Sequence, residues 1–302
     1  MQLSTFLVRR FHFPSTSANH LAELLTGFER SGLAPPNMPA EVKSGEEGKL
    51  WAHVWEAMLY RHLSALGFQF RSDRVKKSGQ HGPDFGIMHD GKTIWIEAVV
   101  PAPEGIPQER LDLQRVDPLN PGPLELKQTP SKEMLLRWTA VLRDKREKLQ
   151  SYAQKGIIGA TDPTVIAVNC CRLKVCFAND LGDSGWPFAV EAVFPIGPPL
   201  FPITPDGRPD GDPVNMPRYA IRKPCGAEVR TDSFLDPSYA NVSAVTGGFQ
   251  KHMLSGNLSL TLVHNPLAGT PLPRGILGAA KETVADREGD RYWLRCLSCA
   301  SE

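Results

Sequence analysis

Apolar side chains recur at helical spacing in two stretches of this chain and at strand spacing between them. Leu50, Trp51, Val54, Trp55, Met58, Leu59, His62, Leu63 and Leu66 form the first stripe, which predicts a helix closed by Gly67. Met134, Leu135, Trp138, Val141, Leu142, Lys145, Leu149 and Tyr152 form the second. Ser131 stands where a cap is expected, Glu133 falls in the first turn and Gly156 ends the pattern. Between the stripes, Ile94, Ile96, Ala98 and Val100 alternate with Trp95, Glu97 and Val99, so Glu97 faces away from the aliphatic set. Residues 84–88 and 92–100 read as a hairpin around His89-Asp90-Gly91, because Asp-Gly tolerates the left-handed backbone of a tight turn. Thr164-Val165-Ile166-Ala167-Val168-Asn169 is apolar without alternation, the pattern of a central strand covered on both faces.

Weaker signals fill the remainder. Leu21, Leu24, Leu25 and Phe28 mark a short helix, and residues 68–71, 242–245 and 258–264 read as strands. Residues 101–130 are proline-rich, a long loop of the kind that often carries function. In 180–235 proline and glycine are too dense to order the elements. The sequence of elements predicts an α/β fold whose mixed central sheet is flanked by helices. It is expected as one domain over 1–302, with a core at about 45–175 and a β-rich extension, 176–302, packed on it.

Composition narrows the classes. A chain of 302 residues with 41% hydrophobic content can bury a large core, and a formal net charge of +1 excludes a strongly basic coat protein. A local basic stripe is still enough to contact phosphates. Arg71, Arg74, Lys76, Lys77 and His81 form such a stripe just before Asp84; it reads equally well as a solvated loop. No apolar run approaches the roughly 20 residues of a membrane span, and the N-terminal apolar stretch runs into Arg9 and Arg10, so a cytoplasmic protein without a membrane partner is expected. The cysteines include one C-x-x-C pair, Cys296 and Cys299, without the second pair a zinc site usually needs, so buried reduced thiols are the expectation. The motifs of P-loop, dinucleotide-binding, H-E-x-x-H and G-x-S-x-G enzymes are missing.

The hairpin carries the chemistry. Asp84 and Glu97 lie equally far from its turn, which makes them cross-strand neighbours. Two carboxylates so placed repel unless a cation lies between them, and hard divalent ions take oxygen ligands. Read alone, Asp84 is equally a turn residue and Glu97 a solvent-facing strand residue.

Gly82-Pro83-Asp84-Phe85, the hairpin, and Ile96-Glu97-Ala98-Val99 resemble the core of the PD-(D/E)xK restriction-endonuclease-like superfamily. The preceding Trp55-Glu56-Ala57-Met58-Leu59 and Leu66-Gly67-Phe68 resemble its first core helix, which often supplies a glutamate to the metal site. The resemblance covers roughly residues 45–170 and implies an αβββαβ core. It also implies Mg²⁺ or Mn²⁺ held by Asp84, Glu97, the Ala98 carbonyl and Glu56, and hydrolysis of phosphodiester bonds in DNA in preference to RNA. One position departs from the pattern: Val99 stands where the family has a lysine. Some members supply this cation from the following helix, and Lys145 is the candidate here, with Arg137 two turns earlier as a phosphate clamp. Lys145 also belongs to the charge run Arg143-Asp144-Lys145-Arg146-Glu147-Lys148, and such runs are commonly solvated faces. Arg74, Lys76, Lys77 and His81 complete the expected nucleic-acid contacts, and a homodimer is left open. The alternatives are a catalytically inactive nuclease-fold protein that binds nucleic acid or another protein, and an unrelated α/β protein.

Overall fold

The computed structural model describes residues 2–71, 82–107, 130–173, 180–248, 258–289 and 291–298. Four helices come first: α1 (Leu3–Phe11), α2 (Ser15–Arg30), α3 (Met38–Lys43) and α4 (Glu47–Ala65). The strands β1 (Gln69–Phe70), β2 (Phe85–His89) and β3 (Lys92–Val99) follow, then the long helix α5 (Ser131–Gln154) and β4 (Thr164–Asn169). After a single-turn helix α6 (Phe188–Glu191) come two small ribbons, β5 (Ile196–Leu200) with β6 (Val214–Pro217) and β7 (Ala220–Arg222) with β8 (Glu228–Arg230). The last strands are β9 (Ala244–Gly248), β10 (Thr261–His264), β11 (Lys281–Glu288) and β12 (Arg291–Ser298).

Eight of the strands form one mixed sheet in the order β1-β2-β3-β4-β9-β10-β11-β12. β3, β4 and β9 run parallel to one another at its centre. Of the expected C-terminal extension, β9–β12 continue the sheet edge to edge, while Phe188, Val190, Phe194 and Phe234 pack in the core under α5. Helices cover both faces. Ile94, Ile96, Ala98, Val165 and Ala167 point into a core shared with α1–α4, while Trp95, Ile166, Val168 and Val245 point into a second core under α5. This is the period-two alternation of a strand buried on both sides, and it fixes which helix meets Glu97. Among the described residues no helix is long and apolar enough to cross a membrane.

The hairpin turn has the expected geometry: Asp90 and Gly91 both take positive φ, 47° and 74°. Ser131 does not cap α5 as expected. It is the first helical residue, preceded by Pro130, and its hydroxyl donates to Asp183 at 2.6 Å. β9 starts two residues later than predicted and ends three later, because Gly247 and Gly248 belong to it. Gly247 is required there: a Cβ would come within 2.5 Å of the Trp138 ring and 2.6 Å of the Val168 carbonyl oxygen. Trp138 presses α5 onto the sheet at this point. Gly247→Ala is expected to destabilise the protein by about 1–3 kcal/mol, read from denaturant unfolding. Cys170 and Cys171 are buried thiols as expected, whereas Cys225 and Cys296 are exposed.

Candidate active site

The register of β2 on β3 pairs Phe85 with Ile96, so the next residues out, Asp84 and Glu97, stand opposite each other as the hairpin pattern predicted. Asp84 turns its carboxylate across the strands, where Oδ2 accepts the backbone N–H of Ala98 at 2.7 Å. Ala98 thus meets Asp84 through its N–H; the role expected of it was through its carbonyl. Glu97 is 0% exposed and faces α5. There Lys145 Nζ donates to Glu97 Oε1 at 2.7 Å, and Lys148 Nζ donates to the same oxygen at 2.5 Å. The charge run is therefore not a uniform solvated face. Arg143 and Asp144 pair with each other at the surface, Arg146 stacks over Tyr239, and the two lysines one turn apart turn inward.

Glu56 belongs to α4, on the opposite side of β3. Its negative charge adds to the upward push on the Asp84 carboxyl. Burial is the main force on Asp84, and with Glu97 and Glu56 adding to it the carboxyl is pushed up to about 8, against the opposing pull of Lys145 and Lys148. Burial works against the Lys148 ammonium, but the charge and hydrogen bond of Glu97 outweigh it and raise its pKa. Tyr152, one turn beyond Lys148, is raised by burial and by Glu97, and its ring lies 5.6 Å from Lys148 Nζ.

Glu97 Oε2 and Glu56 Oε2 are buried and make no hydrogen bond. Two other buried acids, Glu191 and Glu282, are finished differently, while Asp180 shares the idle oxygen, at Oδ1. Glu191 Oε1 accepts from the Ser184 N–H and Oε2 from Arg218, and both oxygens of Glu282 accept from the Gly275 N–H. An idle buried lone pair costs about 1–3 kcal/mol. Glu97 instead crowds two ammoniums onto one oxygen and leaves the other bare.

No family model, curated protein or solved structure matches the chain. The reading of the site therefore rests on its own chemistry.

Three acids with two idle buried oxygens, and a carboxyl held protonated by burial first and by its neighbours second, have the character of a site short of positive charge. A hard divalent ion fits that donor set. Among the described residues no three His, Cys, Asp or Glu side chains stand as a ready-formed chelate. The present counter-charges of Glu97 are the lysines.

Arg137 does not join this group. Its Nη1 lies 3.8 Å from Glu104 Oε2 on the loop after β3. Arg71 stacks over the Trp95 ring at 5.2 Å. Arg74, Lys76, Lys77 and His81 lie outside the described residues. Two features went unread in the sequence. Lys148 repeats Lys145 at three-residue spacing on one helix face, a signal hidden within the charge run. His53, buried on α4, has Nε2 2.7 Å from Glu41 Oε2 and Nδ1 3.7 Å from Glu56 Oε2. Burial opposes its charge, but Glu56 and Glu41 outweigh that and raise its pKa.

Proposed function

We propose that this chain is a metal-dependent hydrolase of phosphodiester bonds in DNA, built on a core of the restriction-endonuclease-like type. The observation that carries the reading is the inward turn of Lys145 onto Glu97, across the hairpin from Asp84. It supplies from α5 the cation that Val99 cannot supply from β3. Asp84, Glu97 and Glu56 would hold Mg²⁺ or Mn²⁺. When bound, such an ion polarises a phosphate oxygen and lowers the pKa of a water. Lys145, with its side chain 19% exposed, would orient that water and meet charge developing on phosphorus. Lys148, 44% exposed, is the more accessible cation and suits contact with the phosphate backbone.

The test is cleavage of plasmid and of labelled duplex by the purified full chain with Mg²⁺ or Mn²⁺, against a chelator control. Metal-dependent cleavage is expected from the wild type. Lys145→Met is expected to lower kcat by about 10²-fold, and Lys148→Met by less, with its effect mainly in KM. Equal cleavage by wild type and Lys145→Met would remove the lysine from the mechanism.

A second reading is favoured by one observation: two lysines already neutralise Glu97. On that reading the site is a structural charge cluster in an inactive nuclease-fold protein that binds DNA or another protein. Metal affinity separates the two. Asp84 keeps its proton up to a pH of about 8, and an ion needs the carboxylate. Below that pH each ion bound must release a proton, so affinity should rise by up to about tenfold per pH unit from pH 6 to 8 and level off above. Calorimetric titration with Mn²⁺ across this range reads both affinity and proton release. A flat profile, or no binding at all, favours the inactive protein.

A further inference from the structure

We infer that Glu41 and His53 are a positioning pair that aims the carboxylate of Glu56 toward Asp84 and Glu97. The inference rests on the reading in which Glu56 helps to hold the ion. His53 is 5% exposed and lies three residues before Glu56 on α4, so the two side chains stack on one helix face. Its ring has a carboxylate at each nitrogen. The outer contact, to Glu41 on α3, is tight at 2.7 Å and fixes the ring plane. α3 is itself anchored by the buried side chains of Met38 and Val42, so Glu41 starts from a fixed backbone. With the ring so held, Nδ1 must face Glu56.

The inner contact is different. Nδ1 and Glu56 Oε2 stand 3.7 Å apart, within ion-pair range but beyond a hydrogen bond, and both atoms are buried without a hydrogen-bond partner. His53 thus spends one nitrogen on Glu41 and holds the other toward Glu56 without a hydrogen bond. The open inner contact restrains Glu56 by charge and direction and leaves Oε2 unspent. Carboxylate–histidine partners behind a metal site are known to act in this way, and their loss typically costs about 10–100-fold in metal affinity.

The experiment titrates Mn²⁺ into the full chain by calorimetry and follows folding by circular dichroism and thermal melting. His53→Ala and Glu41→Ala are expected to weaken Mn²⁺ binding by about tenfold or more. Glu41→Gln, which keeps an acceptor for the ring, is expected to recover most of that loss. In a Glu56→Gln background, Glu41→Ala should add nothing, because it acts through Glu56. In cleavage assays its loss should fall on kcat, leave KM for DNA unchanged, and be reversed by raising Mn²⁺; a merely structural defect would not be reversed in this way. If Glu56→Gln weakens binding while folded His53 and Glu41 variants bind as wild type, the positioning role is overturned and the ion reading stands. Additive losses in the double variant overturn it equally. If Glu56→Gln binds Mn²⁺ like the wild type, Glu56 leaves the ion site and the pair loses its purpose. Should His53→Ala fail to fold, His53→Gln and Glu41→Ala decide the matter.

Discussion

A Glu97→Gln protein is expected to stay folded and to lose metal-dependent cleavage of DNA by about 10³-fold or more. The substitution keeps the size of a side chain that is 0% exposed, so the packing under α5 is preserved. It removes the charge that faces the ion and the one that draws Lys145 inward. Breaking a buried ion pair commonly costs about 3–5 kcal/mol, because the partner charge is left stranded. Here the stranded groups are lysines, and Lys148 is already 44% exposed and can swing into water. The stability loss should therefore fall below that range, and single-turnover cleavage can be measured on folded protein. Normal cleavage by Glu97→Gln would sink the proposed function outright.

Asp84→Asn is expected to separate stability from activity. In the folded protein the Asp84 carboxyl is raised from its ordinary value of 3.8 to about 8, by burial first and then by Glu97 and Glu56. For an acid with a raised folded pKa, the favourable contribution is complete below the unfolded value and is lost as pH climbs to the folded one. Between pH 4 and about 8 the wild type therefore loses stability that an uncharged side chain would keep. Asparagine can still accept the Ala98 N–H through its amide oxygen and carries no charge. The variant should match the wild type near pH 4 and exceed it by several kcal/mol at pH 8, about 1.4 kcal/mol for each pH unit between the two values, read from urea unfolding without added metal. It should neither bind Mn²⁺ nor cleave DNA. Stabilisation by Mn²⁺ should then appear in the melting of the wild type alone. A variant that is less stable than wild type at pH 8 would mean that Asp84 is a satisfied structural acid.

Much of the core was legible because its signals are local. The Asp90-Gly91 turn fixes the hairpin register, and register alone sets Asp84 against Glu97. The alternation through Ile94–Val99 places Glu97 on the α5 side. The stripe through Trp138, Leu142 and Leu149 places Lys145 on the inward edge of that helix. What was not legible depends on partners distant in sequence. Gly247 looks like a strand breaker until Trp138 is seen to need the space. Lys148 looks solvated until Glu97 is beneath it. β11 and β12 were missed because much of that hairpin is exposed and polar, including Lys281, Asp286, Arg287 and Glu288, so it carries little apolar periodicity. Their place in the sheet comes from backbone pairing with β10, which leaves no mark on side-chain pattern. His53 was hidden for the same reason: nothing in residues 37–43 marks Glu41 as its partner.

The most direct measurement of the central claim is the anomalous difference density of crystals grown with Mn²⁺. The predicted result is an ion between the carboxylates of Asp84 and Glu97, about 2 Å from an oxygen of each, with Glu56 in contact directly or through water. Lys145 should remain beside the ion while Lys148 moves away from Glu97. The contradicting result is Glu97 still clasped by both lysines, with no ion in the hairpin, in crystals saturated with Mn²⁺.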